Sequence, residues 1–341
     1  IEPSNFDSDK DGTNDSQDAN DDDGPCSSVG ASGPPRLFFN VTRTKVSGKV
    51  QDLHLTKACS PYKVMGEYLW FIEGTKLTSE AGVEIRFGAA AALKFGNTNT
   101  TASMDLKGTA AAPILMRADS LNPTKGYWRG IVMSNGGSLK MEHVSVTWAG
   151  GPTLSADAAA SLLVKVATDI SLTSCTFSNG AGYGVHAAFS LPTATLFTSF
   201  SKNAFTSLKY SAALNINHLG EIASDNQFGS TAAGGVVHVS DGTVSRKANW
   251  KNLEVPYVFD EASININAKL TIAKGATLYF KPDTLVLVGY SGTGSLHAMG
   301  ESGSPIIFKT VKGGPGSWQG LMLAGGSNTL NYRQRTGGGK S

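Results

Sequence analysis

Residues 76–95 read KLTSEAGVEIRFGAAAALKF, and residues 269–288 read KLTIAKGATLYFKPDTLVLV. Gly82 matches Gly275 and Phe87 matches Phe280, both at a spacing of 193. The match continues downstream. GTAAAPILMRA (108–118) answers GESGSPIIFKT (300–310), with Pro113 against Pro305, and GYWRGIVMSNGG (126–137) answers GSWQGLMLAGG (316–326), with Trp128 against Trp318. The spacing drifts from 193 to 190, so the loops differ slightly while the apolar pattern is kept. One unit of about 60 residues is therefore used twice, and a fixed-period recurrence of this kind is the mark of a repeat architecture.

Within the unit, short apolar-alternating runs are separated by Gly, Asn, Ser and Thr, which reads as strands and corners. Shorter echoes fill the interval. VSVTWAG ends at 150 and SCTFSNG at 180, placing Trp148 and Phe177 at equivalent points. SKNAFTS and SDNQFGS place Phe205 and Phe228 at a spacing of 23, and Trp250 follows 22 later. A period in the low twenties with one aromatic per turn suits one coil of a parallel β-helix. Neighbouring coils would stack to bury inward Val, Ile, Leu and Phe, with Asn or Gly in the left-handed corner conformation. The WxG(I/L) signature beside a PI(L/I) strand resembles bacterial secreted right-handed β-helix proteins over roughly 76–330. That resemblance implies an architecture and carries no activity. One stretch, ADAAASLLVKVA (156–167), suits a helix or a strand equally.

The expected fold is thus all-β: a right-handed parallel β-helix, or solenoid, with an N-terminal calcium-binding loop segment. Residues 1–26 form an acidic arm, 27–75 a β-rich connecting or capping segment, 76–335 the β-helix, and 336–341 a flexible tail. After GLMLAGG the second copy departs from the first, so the coil is expected to be cut or capped there within a longer protein. The terminal GGGKS lacks the first glycine of a phosphate loop, because Gln334 stands in its place.

Glycine makes up 40 of 341 residues and charged residues only 16%, which favours turns and half-buried sheet over helix bundles. The net charge of +2 conceals an asymmetry. Residues 1–24 carry nine acids and one lysine (1 − 9 = −8), and the remainder of the chain carries 28 Lys/Arg and 18 Asp/Glu (28 − 18 = +10). No run of 18 apolar residues suggests a membrane span.

The acidic arm contains DSDKDGTNDSQD at 7–18. With Asp7 as position 1, Asp9, Asp11, Thr13, Asp15 and Asp18 fall at positions 3, 5, 7, 9 and 12, the ligand positions of a calcium loop, with Thr13 offering its carbonyl and Gly12 the sharp turn. A dication cancels the repulsion among these carboxylates. The stretch resembles the thrombospondin type 3 repeat, DxDxDGxxDxxD. The following DANDDDGPC begins a second, incomplete copy, with Asp18, Asn20 and Asp22 at its first three ligand positions. The calcium set is Asp7, Asp9, Asp11, Thr13, Asp15, Asp18, Asn20 and Asp22. Ca²⁺ is the expected cofactor, and sites of this kind fill at extracellular calcium levels, which places the protein outside the cell or on its surface. A Cys26–Cys59 disulfide is expected, with free thiols as the alternative, and Cys175 reads as a small buried hydrophobe.

No catalytic constellation is legible. Asp157, Asp169, Asp225, Asp241 and Asp260 are scattered; Glu142 and His143, being adjacent, would face opposite sides of a strand; the six histidines show no metal-ligand spacing. Trp128 and Trp318 read as packing residues. The expected function is a secreted or cell-surface calcium-binding scaffold for adhesion, assembly or glycan binding without catalysis. The alternative is a polysaccharide lyase or glycoside hydrolase of the β-helix type. Polysaccharide or other surface proteins are the expected partners, with self-association open and nucleic acid not expected.

Overall fold

Each short strand offers two edges and one apolar face, so a single turn of chain satisfies neither its backbone groups nor its core; both needs are met by laying the next turn on top in parallel register. The computed structural model describes residues 37–41, 44–46, 53–97, 99–134, 137–152, 158–166, 169–189, 195–229, 235–312, 314, 316–331 and 333–336. All their strand pairings are parallel, and the chain forms a right-handed parallel β-helix. Sheet 1 has seven strands, from Leu37–Val41 to Ala204–Thr206; sheet 2 has twelve, from Thr44–Val46 to Arg333–Thr336; sheet 3 has six, from Leu53–Leu55 to Phe197–Ser201. Sheets 4 and 5 have four strands each and form the walls of the C-terminal half beside sheet 2. The calcium set and Cys26 lie outside the described residues.

Inward side chains stack coil on coil. In sheet 1 the column runs Tyr62, Ile85, Met116, Val146, Phe177 and Phe205. In sheet 2 it runs Leu69, Leu93, Ile131, Leu162, Val185, Ala212, Val237, Tyr257, Leu278 and Phe308. Where phenylalanines follow one another their rings lie parallel: Phe71–Phe95 at 4.8 Å, Phe177–Phe205 at 5.3 Å, Phe205–Phe228 at 5.2 Å. Among the described residues the interior is one continuous apolar core.

The parallel register already includes Leu37–Val41 against Tyr62–Gly66, and Tyr62–Gly66 against Glu84–Phe87. Described strands before 76 therefore stack in the same parallel register as the coils that follow. Coil length also varies more than a low-twenties period allows: the step from Val237 to its partner Tyr257 is 20, but that from Ile85 to Met116 is 31. The longer coils loop out at corners without disturbing the ladder. Residues 160–164 are a strand with both faces buried. Val146, not Trp148, pairs with Phe177. Trp148 sits one step past Thr147 in a left-handed corner (φ 63), in line with Asn179 (φ 55) and Ser207 (φ 54). His143 (φ 49), Ser174 (φ 55) and Lys202 (φ 57) turn the other corner. Asparagine is thus not the usual corner residue. It serves inside: Asn203 accepts from the Cys175 amide at 2.9 Å, and Asn226 accepts from the Asn203 amide at 3.0 Å, a buried side-chain ladder that ties three coils.

The two copies of the long repeat do not occupy the same walls. Lys76–Ser79, Glu84–Phe87 and Ala92–Phe95 lie in sheets 3, 1 and 2, whereas Lys269–Ile272, Thr277–Phe280 and Leu285–Val288 lie in sheets 5, 2 and 4. The second copy is displaced by one wall. Its local packing is unchanged: Trp128 stacks on Phe87 at 3.8 Å and Trp318 on Phe280 at 4.7 Å, and both tryptophans are fully buried.

The displacement is accommodated around a 3-10 turn, Ile216–Glu221, which stands where a strand of sheet 3 would otherwise follow Phe197–Ser201. Such a turn offers no ladder of hydrogen bonds, so side chains supply them. Glu221 Oε2 accepts from the amides of Leu196 (3.1 Å) and Phe197 (2.8 Å), and its Oε1 accepts from Arg246, which also donates to the Asn217 carbonyl. His218 Nδ1 lies 3.1 Å from Glu221. Burial alone would raise the Glu221 pKa, but the His218 hydrogen bond, the Phe197 amide and the charges of His218 and Arg246 outweigh it and hold the carboxyl below its ordinary value.

A Cβ on Gly130 (φ 111) would meet the Ala160 carbonyl at 2.5 Å, while one on Gly320 (φ 107), its counterpart in the second copy, meets nothing within 4 Å. Gly320→Ala should cost about 1–3 kcal/mol in backbone strain, and Gly130→Ala distinctly more, as measured by chemical denaturation; equal costs would contradict the packing. Because the Glu221 pKa is lowered, its contribution to stability is complete above the 4.5 of an unfolded glutamate and is lost as pH falls through the lower folded value. Glu221→Gln should lower the melting temperature at neutral pH and flatten its fall under acid.

Candidate glycan-binding face

Strand alternation sends every second side chain of sheet 3 outward, and parallel register lines these side chains into rows. One row is Lys76, Ser103, Ser138 and Asp169; the next is His54, Thr78, Asp105, Lys140, Ser171 and Ser199; the third is Lys107, Glu142, Thr173 and Ser201. The inward partners on the same strands, Met104, Leu106, Leu139, Met141, Ile170 and Leu172, are all fully buried. The face is therefore polar because the core is already complete beneath it.

A shallow groove of about 170 Å³ opens here, lined by Asp105, Lys107, Lys140, Glu142, Ser171 and Thr173. Asp105 Oδ2 pairs with Lys76 at 3.2 Å and Lys107 at 3.8 Å. Its Oδ1 is buried without a hydrogen-bond partner. Lys140, in register beside Asp105, turns to Asp169 at 3.6 Å, and Asp169 also accepts from Thr198 at 2.6 Å. Farther along, Thr173 bonds Ser199 at 2.9 Å, and Ser201 donates to Asp225 at 2.8 Å. The Ser201 hydrogen bond, chiefly, holds the Asp225 carboxyl below its ordinary value against the opposing effect of burial, with the Lys202 amide adding to the lowering. The groove thus presents ammonium donors, carboxylate acceptors and hydroxyls within a few ångströms of each other. Such a surface can exchange internal ion pairs for those of a hydroxylated, charged chain.

Of the acids that look scattered in the sequence, this face gathers Asp169 and, at its far end, Asp225. Asp241 instead accepts from the Thr243 amide at a corner, Asp260 pairs with His238 on sheet 2 at 2.9 Å, and Asp157 lies outside the described residues. Asp105, the acid at the centre of the groove, carries no sequence signal beyond its outward place in SMDLK. Glu142 does point out, but His143 is a corner residue and does not face the core. Among the described residues no group of three or more His, Cys, Asp or Glu side chains is placed to hold a metal ion, and no helix is long and apolar enough to cross a membrane. Cys175 is free and buried, and burial pushes its thiol up to about 12, which disfavours the reactive thiolate.

Residues 48–154 match the model of the pectate-lyase like beta helix domain. The match takes in both strands at the centre of the groove, Ser103–Lys107 and Ser138–Glu142. No curated protein and no solved structure matches the chain.

The Lys140–Asp169 pair is solvent-facing and contributes little to stability. Lys140→Ala should change the unfolding free energy by less than about 1 kcal/mol, read by denaturant titration. A loss of several kcal/mol would make these residues structural.

Proposed function

We propose that the protein is an extracellular, non-catalytic polysaccharide-binding scaffold, whose sheet 3 face holds an acidic glycan chain and whose N-terminal arm is stiffened by calcium. The observation that carries this reading is the groove of Asp105, Lys107, Lys140 and Glu142 lying above a closed core. Lysines 76, 107 and 140 offer sites for sugar carboxylates, and the excess of basic over acidic residues after residue 24 favours an anionic ligand. Serines and threonines on the neighbouring coils extend the surface toward hydroxyl groups. A long, flat, rigid wall of this kind suits a polymer better than a small molecule. Asp7, Asp9, Asp11, the Thr13 carbonyl, Asp15 and Asp18 would hold one Ca²⁺, with Asn20 and Asp22 contributing to a second. The ion would fix the backbone of a stretch that otherwise repels itself. A Cys26–Cys59 disulfide would anchor that arm to the first coils, as suits an oxidising compartment.

A second reading, cleavage of the bound polysaccharide, is favoured by the match to a pectate-lyase like domain. The two separate cleanly. Polygalacturonate should bind, lose at least about tenfold in affinity (1.4 kcal/mol) in the triple variant Lys76→Ala, Lys107→Ala, Lys140→Ala, and yield neither unsaturated nor new reducing ends. Absence of binding would defeat the scaffold reading, and turnover would replace it with the enzymatic one. For the arm, Ca²⁺ calorimetry should show at least one binding event that disappears in Asp9→Ala, Asp11→Ala; unchanged heats would refute the calcium assignment.

A further inference from the structure

A different wall carries a second kind of surface. On four successive strands of sheet 2, at Tyr183–Ala187, Tyr210–Asn215, Val237–Ser240 and Tyr257–Phe259 with the residue after it, the outward side chains include Tyr183, Tyr210, His238 and Asp260. Tyr183 and Tyr210 are in register, with their rings 4.8 Å apart and tilted by 30°. The His238 ring stands edge-on to both, at 5.9 Å from Tyr183 and 4.8 Å from Tyr210, and its Nδ1 is 2.9 Å from Asp260 Oδ2. Lys209 places its ammonium 5.2 Å from the Tyr210 ring centre.

These aromatics are not needed for the core. The inward positions of the same strands are filled by Val185, Ala212, Val237 and Tyr257, each fully buried. Nor is an aromatic exterior general: the other walls at this level show Thr176, Ser178 and Thr206, and Ser171, Thr173, Ser199 and Ser201. Both tyrosines and His238 are only half-buried, and the Asp260 side chain is 61% exposed. Two tyrosine rings, a carboxylate acceptor, an imidazole and an ammonium donor are thus combined on one half-exposed patch. At the strand spacing of about 4.8 Å the four residues span roughly 14 Å, the length of a short oligosaccharide.

We propose that this patch is a second, independent glycan site, which binds uncharged sugar rings by packing their C–H faces against the half-exposed Tyr183–Tyr210 ring pair while Asp260 and His238 hydrogen-bond the ring hydroxyls. The rings supply rigid amphipathic contact area at low entropic cost, and the His238–Asp260 pair supplies direction. Burial, the neighbouring Tyr210 and the Asp260 charge push the Tyr183 phenol up to about 12, so its hydroxyl stays a donor at any physiological pH. The site does not rest on the sheet 3 reading, which calls for an acidic chain on another wall.

The test is calorimetric titration of the whole chain with cellohexaose, xylohexaose and chitohexaose. At least one should bind. Tyr183→Ala and Tyr210→Ala should each weaken it about tenfold or more, Tyr210→Phe much less, and Asp260→Asn severalfold, while Lys140→Ala leaves it unchanged. If an alanine variant fails to fold, Tyr210→Phe and the exposed Asp260→Asn carry the comparison. Absence of binding by all three hexasaccharides overturns the proposal, as does undiminished binding by a folded variant lacking both tyrosines. Loss of this binding in Lys140→Ala would likewise overturn the independence of the two sites.

Discussion

Parallel register between coils is the constraint from which the rest of this molecule follows. Once Ile85 is set over Met116 and Leu69 over Leu93, every inward side chain meets its equivalent one coil away, and every outward one does too. The inward columns become a core that no single coil could form. The outward columns become rows of like spacing, which is how Asp105, Lys140 and Ser171, dispersed in sequence, come to share one groove. Structure and candidate function are two faces of one ladder.

The register tolerates a change of wall. A solenoid needs each coil to match its neighbour, but it does not need equivalent sequence units to occupy equivalent walls. The Phe87–Trp128 and Phe280–Trp318 stacks are the same local device one wall apart. Among the described residues only sheet 2 runs through both halves, and the junction where sheets 1 and 3 give way to 4 and 5 is held by discrete side chains, Asn217, Glu221 and Arg246, in place of a backbone ladder. Stacking there depends on particular charged groups, Glu221 among them, so the junction is sensitive to acid.

The class of fold is legible in the sequence because the long repeat and its alternating strands are strong periodic signals. Details that strand alternation does not encode are not legible. The echo of VSVTWAG in SCTFSNG sets Trp148 against Phe177, but the ladder pairs Val146 with Phe177 and Thr147 with Ser178, which leaves Trp148 at the corner. Asn and Gly are the expected corner residues, and Gly82, Gly96, Gly150 and Asn179 do take positive φ, but so do His143, Ser174 and Lys202, where the ladder and, beside the last two, the buried Asn203–Asn226 pair over-determine the turn. The groove is hidden because its members lie on separate coils and carry no motif; only the coil length, itself variable, brings them together. The His218–Glu221 pair has a visible i, i+3 spacing, but its structural task depends on Arg246, which no local pattern announces.

Two walls with different exteriors follow from the same filled interior: sheet 3, with lysines and acids interleaved among hydroxyls, and sheet 2, with tyrosine and histidine rings. The proposed role of the rows on sheet 3, above a closed core, is to meet an acidic polymer. A crystal structure with an acidic hexasaccharide bound tests it most directly. The account predicts sugar carboxylates beside Lys107 and Lys140, with the chain running across Ser103–Lys107, Ser138–Glu142 and Asp169–Thr173. An acidic chain seated on another wall, or on none, would contradict it.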